Sequence, residues 1–198
     1  MFKLLRPMKT GLRLNRKLRI LYAYYNLLRF MFRKKLLGFD TANQFIQKVD
    51  KKSIQLILRK NGAIIGKNCD IESGLTFHNN KNYSNLIIGN NCHIGKNCFF
   101  DLRDKVIIKN NCVISMQVTF ITHMEMNKSE LSNLYPASRG SILIENDVYI
   151  GANAIILMNR TIGENSFIAA GSLINRDVDR GKMVGGVPAK VIKQLKKE

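Results

Sequence analysis

The sequence predicts a mainly β fold, a parallel stack of about five triangular coils, and three observations predict it. From Ile65 onward an aliphatic or aromatic residue returns every six positions. Glycine often follows that residue, as at Gly66, Gly89, Gly95, Gly151 and Gly163. Four positions after it the side chain is small or modest: Cys69, Cys92, Cys98, Cys112, Val118, Ala154 and Ser166. A period of six is neither the helical 3.6 nor the two-residue alternation of a half-buried strand. It fits a short strand plus a corner, with one residue of each strand pointing inward. Three such sides close one coil.

The anchors sort into the coils 65/71/77, 88/94/100, 108/114/120, 144/150/156 and 162/168/174. Stacking sets Ile65, Ile88, Ile108, Ile144 and Ile162 above one another, with neighbouring strands about 4.8 Å apart. Each coil buries its anchors only against its neighbours, so stability accumulates along the stack.

Three coil starts come late. Ile88 is five residues late after Phe77, Ile108 two late after Phe100, and Ile144 eighteen late after Phe120. All three insertions fall at one corner, after the third anchor. Loops carried at one place on a rigid scaffold are where function concentrates. His123 stands three residues past Phe120, in FITH, at the start of the longest insertion. Asp101 follows Phe100 and His78 follows Phe77, on the two preceding coils. The stacked anchors bring Asp101 within reach of His123, as its orienting partner or as a contact for an acceptor hydroxyl. A plain turn role in DLRD is the other reading of Asp101. Glu125 is an alternative partner.

Residues 1–60 differ in character. The chain of 198 residues carries a net charge of +18, and this segment holds 16 Lys/Arg against Asp40 and Asp50, or +14. Leu14, Leu18, Leu21, Tyr25, Leu28 and Phe32 recur every three or four residues, as on one helix face. Arg13, Arg16, Lys17, Arg19, Arg29, Arg33, Lys34 and Lys35 surround them. Two readings stand: a helix that packs on an oligomer of this chain, and an interfacial helix on an anionic membrane through residues 1–35. A second helix is expected from an N-cap near Asp40–Thr41 toward Lys60. Nucleic acid is not an expected partner, since no reading module accompanies the charge. The apolar stretch Ile20–Phe32 is too short and too polar to span a bilayer, and no cleavage site follows it. The resulting division is a basic, mainly helical segment 1–60, a coil domain 61–184 with an inserted loop 121–143, and a tail 185–198.

The four cysteines form no CxxC pair and no zinc-finger spacing. They occupy the small-residue site of the repeat, where buried cysteine acts as a small hydrophobe. A reduced, cytoplasmic setting is the expectation, with peripheral attachment to the inner membrane face under the interfacial reading.

The segments IGKNCD, IGNNCHIGKNCF, VYIGANAI and TIGENSFIAAGS, with GGVPAKVIK at 185–193, resemble the hexapeptide-repeat acyltransferases over roughly two thirds of the chain. The resemblance implies a left-handed β-helix, a homotrimer with sites between subunits, and a short C-terminal tail or helix. It implies acetyl-CoA as co-substrate and no metal. Among sugar O-acetyltransferases of this kind, such as the maltose and galactoside enzymes, the base lies where His123 lies. An imidazole whose ordinary pKa is about 6.5 can take a proton from a hydroxyl attacking the thioester.

The same resemblance maps the CoA site onto Ala152, Ala170, Gly171, Asn175, Arg176, Lys190 and Lys193. On a plain structural reading these are small corner residues and solvated cations. His78, Glu125 and Tyr149 are the candidate acceptor contacts, with loop 124–140 shaping the pocket and Tyr135 and Pro136 near its end. Two positions differ from the sugar enzymes: Tyr149 stands where Trp is common, and Asn175–Arg176 where Thr–Lys is common. The expected activity is O-acetylation of a sugar or glycan, free or lipid-linked, in capsule or lipopolysaccharide assembly. The alternatives are a nucleotide-sugar N-acetyltransferase, a zinc-dependent protein resembling the gamma carbonic anhydrases, and an inactive scaffold. The zinc reading would draw on His78, His93 and His123, but the closely spaced histidine pair of that family is missing.

Overall fold

The computed structural model describes residues 15–78 and 81–195. It is a left-handed parallel β-helix with two helices at its N-terminal end. The three sides of the triangle are three sheets. On side one, Ile65 pairs Ile88, Ile88 pairs Ile108, Ile108 pairs Ile144, and Ile144 pairs Ile162. On side two, Ile71, Ile94, Ile114, Ile150 and Ile168 stack in the same way. Phe77, Phe100, Phe120, Ile156 and Ile174 make side three. Every anchor read from the sequence is buried and lies in the expected register. Burying one such side chain contributes about 1.5–3 kcal/mol. The three phenylalanines stack face to face, Phe77 on Phe100 at 5.6 Å and Phe100 on Phe120 at 4.9 Å between ring centres.

The corners explain the remaining positions of the repeat. The third residue after an anchor lies in the left-handed region: Asn68, Asn91, Asn97, Asn111, Gln117, Asp147, Asn153, Asn159 and Asn165 all have φ between 54° and 59°. Asparagine tolerates that region better than most residues. Its side chains also link the coils. Asn68, Asn91, Asn111 and Asp147 form a ladder of side-chain hydrogen bonds at 3.1–3.2 Å. At Gly151 a Cβ would stand 2.5 Å from the Ala170 nitrogen, so only glycine permits the next coil to approach. The cysteines fill their small sites as expected. All four are free, and three of them are buried. The Cys92 and Cys112 thiols donate to the carbonyls of Lys109 and Glu145 on the adjoining coil, at 2.9 and 3.0 Å. Burial pushes the Cys98 thiol up to about 11.

A sixth, incomplete turn follows the five coils. Val178 bridges to Ile162, and Val184 pairs with Ile168 on side two. In its described residues, through Leu195, the tail that follows is not helical. Lys182–Gly186 and Ala189–Gln194 form an antiparallel hairpin. Val184 extends the side-two ladder, which draws the tail into that sheet rather than into a helix.

Helix α1 (Arg16–Ile46) begins at Asn15, whose side-chain oxygen accepts from the Lys17 N–H at 3.1 Å. Leu14 and Arg13 lie outside the described residues. Gly38, at φ 82° and ψ 170°, joins two helical stretches across a kink. Helix α2 (Lys51–Lys60) starts ten residues later than expected. Its cap is Asp50, which accepts from the N–H groups of Lys52 and Ser53 at 2.9 and 3.2 Å. Thr41 donates instead to the Leu37 carbonyl inside α1, so Asp40–Thr41 continues a helix rather than opening the second one.

The helices close the end of the stack. Ile54, Ile57 and Leu58 of α2 and Phe30 and Ile46 of α1 join the core that contains Ile65 and Ile71. The Arg59 guanidinium donates to the carbonyls of Ile65 and Gly66. Farther along, Asn43 donates to the Phe77 carbonyl at 2.7 Å and accepts from the buried Tyr83 hydroxyl at 3.0 Å.

Candidate functional site: a histidine on the inserted corner

All three insertions leave the stack at the corner between sides three and one. The longest is not a structureless loop. His123–Met124 pairs antiparallel with Ser138–Arg139, His123 opposite Arg139, and a short 3-10 turn spans Glu130–Asn133. His123 is therefore fixed by backbone pairing within three residues of its anchor Phe120.

Its Nδ1 lies 2.5 Å from Asp101 Oδ2. The Asp101 carboxylate is nearly closed to solvent, at 2% exposure, whereas the imidazole keeps 21%. The same carboxylate oxygen accepts the Thr122 N–H and hydroxyl, both at 2.9 Å, and Oδ1 accepts the Arg103 N–H at 3.3 Å. A carboxylate so held accepts a hydrogen bond from Nδ1–H, and in that tautomer Nε2 is the basic nitrogen. Asp101 therefore meets His123 through Oδ2 while its Oδ1 makes the local turn contact within DLRD. Glu125 is not the partner of His123. It pairs with the Arg103 guanidinium and accepts from Asn127 at 2.6 Å.

His123 opens on a cleft of about 540 Å³ that His78, Arg103, Glu125, Met126, Asn127 and Leu131 also line. Two of the three candidate acceptor contacts, His78 and Glu125, are therefore beside His123. Tyr149 lies elsewhere: on side two, it stacks on Phe167 at 4.6 Å. The inserted segment shapes the cleft through Met126–Ser129 and Leu131, while Tyr135 is exposed and outside its lining.

Arg103, Thr122 and Asn127 were missed in the sequence. Arg103 and Thr122 stand where the six-residue period has lapsed. Their one signal is closeness to Asp101 and His123 in DLRD and FITH.

The candidate CoA contacts divide into two groups. Asn175, Arg176 and Lys190 line a second cleft of about 280 Å³ at the C-terminal end of the stack. Asn175 and Arg176 follow Ile174 at the same corner as His123, two coils farther on, or about 10 Å along the axis. Ala152, Ala170 and Gly171 lie at the corner between sides two and three, where the Gly171 N–H donates to the Ala152 carbonyl at 2.8 Å. Lys193 sits on the outer hairpin strand opposite Met183, outside the cleft. Among the described residues no group of three His, Cys, Asp or Glu is placed to hold a metal. His93 is on side two against Asp70, away from His78 and His123.

A left-handed β-helix of six-residue sides thus carries a carboxylate-held imidazole on an inserted corner. Comparisons with known proteins match parts of the sequence and the whole fold. The family described as bacterial transferase hexapeptide (six repeats) matches residues 141–176, and the hexapeptide repeat of succinyl-transferase matches 85–118.

A 2,3,4,5-tetrahydropyridine-2,6-dicarboxylate N-acetyltransferase of Staphylococcus aureus is 49% identical over 59 residues, 30% of this chain. The chain spans about a quarter of the length of the curated relatives it matches, 25% for this one. Among solved structures, a hexapeptide-repeat-containing acetyltransferase of Vibrio cholerae superposes with a TM-score of 0.69 at 22% identity. It covers 93% of this chain and 96% of its own. A maltose O-acetyltransferase of Clostridium difficile gives 0.66 at 23%, over 92% and 90%. A galactoside acetyltransferase solved with coenzyme A gives 0.68 at 24%, over 93% and 85%. These three acetyltransferases share this chain's fold.

Proposed function

We propose that the protein is an acetyl-CoA-dependent O-acetyltransferase acting on a hydroxyl of a sugar or glycan in surface polysaccharide assembly. The observation that carries this reading is the 2.5 Å contact of His123 with a buried Asp101 at the mouth of the cleft. His123 Nε2 takes the proton of the acceptor hydroxyl as its oxygen attacks the thioester carbonyl. The tetrahedral intermediate collapses, the C–S bond breaks, and the imidazolium returns the proton to the departing thiolate. Asp101 holds the ring and stabilises the imidazolium while it is charged. His78, Arg103 and Glu125 supply hydrogen bonds of the kind that position a polyhydroxylated acceptor.

Arg176 and Lys190, with Asn175, suit the phosphates of CoA. The small corner residues Ala152, Ala170 and Gly171 let a pantetheine chain approach the backbone. That corner lies across side three from His123. By its resemblance to the hexapeptide-repeat acyltransferases the active form we infer is a trimer of this chain, in which a second copy presents its small-residue corner to the His123 corner. Its four free cysteines fit a reducing, cytoplasmic setting.

An amine acceptor is the second reading, favoured by the 59-residue likeness to an N-acetyltransferase. Thiol release from acetyl-CoA, with a panel of sugars and amino sugars and metal-stripped protein, separates the two. Release that depends on a hydroxyl acceptor and on His123 is the expected result. Release with amines alone transfers the reading to N-acetylation. No release with any acceptor refutes both.

A further inference from the structure

We propose that α1 docks the protein on an anionic lipid surface, with its outward face lying in the plane of the membrane interface. The acetyl-transfer reading is not needed for this.

Ala23, Asn26 and Phe30 are the buried residues of the first stretch of α1. Asn26 donates to Ser53 of α2 at 3.0 Å, which fixes this face against the protein. The opposite face carries Leu18, Leu21, Tyr25, Leu28, Phe32 and Leu36, spaced by three or four residues. Each is between 52% and 68% exposed. They fall within one sector of the helix and extend about 27 Å along it. Soluble surfaces seldom leave so continuous an apolar stripe without a partner.

Charge identifies the partner. Residues 1–39 hold eleven Lys/Arg and no Asp or Glu. On the described helix, Lys17, Arg29 and Lys35 are exposed at the margins of the stripe. A second copy of the same face would bring these cations together, at a cost in like-charge repulsion. A lipid surface of negative charge accepts the cations in its headgroups and the stripe beneath them. No described helix is long and apolar enough to cross a membrane, so the helix lies on the surface. Beyond the kink at Gly38, Asp40, Asn43 and Gln44 of the same helix, with its C-cap Gln47, wall a groove of about 600 Å³. It shares His78 and Arg103 with the His123 cleft. A docked helix therefore carries one wall of that groove to the lipid surface.

The chain contains no tryptophan, which gives a clean reporter. Leu28→Trp is placed on the stripe of the full chain, and Leu134→Trp, 73% exposed on the inserted arm, is the control. Vesicles containing about 30 mol% phosphatidylglycerol are added at low salt. The Leu28→Trp emission shifts to the blue, and the Leu134→Trp emission does not. The shift is absent with phosphatidylcholine alone and disappears at about 0.5 M salt, where the screening length falls to a few ångströms. The triple variant Leu21→Glu, Leu28→Glu, Phe32→Glu weakens co-sedimentation with the same vesicles by at least about tenfold.

An unshifted, solvent-like Leu28→Trp emission overturns the proposal. So does an emission already blue without vesicles and unchanged by them, which would show the face covered by another copy. An equal shift with phosphatidylcholine removes the anionic requirement, and an equal shift at Leu134→Trp removes α1 as the docking element.

Discussion

The stacked interior and the inserted corner are built by opposite rules. In the interior each residue is set by period: an anchor inward, glycine where the next coil comes close, asparagine in the left-handed corner position. Phe100, Ile114 and Ile150 would serve as well in any protein with this fold. At the corner between sides three and one the period lapses three times, and each lapse places polar side chains just beyond a stacked anchor. Asp101 and His123 stand one and three residues from Phe100 and Phe120, whose rings are 4.9 Å apart. The regular part supplies distance and rigidity, and the irregular part supplies chemistry. Disturbing the first should cost stability, and disturbing the second should cost activity.

The largest effects test that division directly. Phe100→Ala empties the middle of the phenylalanine stack and should destabilise the fold by about 3–5 kcal/mol. His123→Ala removes a part-exposed imidazole but leaves Asp101 its Thr122 and Arg103 donors, so it should cost far less stability than Phe100→Ala. In the thiol-release assay its kcat should fall by about 10²–10⁴. Thermal unfolding and turnover measured on the same two proteins check the pair. If His123→Ala lost as much stability as Phe100→Ala, the corner would belong to the structural framework and the comparison would fail.

Asp101→Asn sharpens the comparison because Asp101 belongs to both regions. The amide keeps an acceptor for Thr122 but can present its NH₂ to His123, which then holds the wrong tautomer. Activity should drop by about 10² or more. The replacement also disturbs a buried carboxylate held by Thr122, Arg103 and His123, so stability should fall by about 1–3 kcal/mol. Both losses in one variant, against a single loss in each of the first two, is the expected pattern. An Asp101→Asn protein with full activity would return Asp101 to the turn role that DLRD alone permits.

The distinction also explains what could be read from the amino-acid order. The five coils, their registers and the corner that takes the insertions follow from spacing, because one inward residue per six sets each anchor on its equivalent in the next coil; the left hand of the coil does not follow from it. His123 and Asp101 could be placed near each other for the same reason, through Phe100 and Phe120. The two-strand stem that holds His123 could not, since His123–Met124 and Ser138–Arg139 are too short to show an alternation. Arg103 claims Glu125 through a contact between two irregular segments, and no period connects them. The end elements were blurred by competition among signals. Asp40 and Asp50 both precede helical residues, and only the position of the first coil decides that Asp50 caps α2. The sixth turn hid because Val178 comes four residues after Ile174, not six.

The smallest predicted effect separates backbone from side chain within the regular region. Asn91 has φ 56°, accepts from the Asn68 amide, and donates to Asn111, each at 3.2 Å. Asn91→Ala loses the ladder and keeps a Cβ in the left-handed region, where an ordinary residue is strained by about 1–2 kcal/mol. Asn91→Gly loses the same ladder without that strain. The glycine variant should therefore be more stable than the alanine variant by about 1 kcal/mol, as read from paired denaturant titrations. The ladder bonds are exposed, so their loss alone should be a few tenths of a kcal/mol and Asn91→Gly should lie close to the parent. Equal stability of the two variants would mean that the asparagines are kept for their side chains. The expected difference means that the corner selects them first for the backbone they tolerate, and that the ladder follows from stacking one such corner on the next.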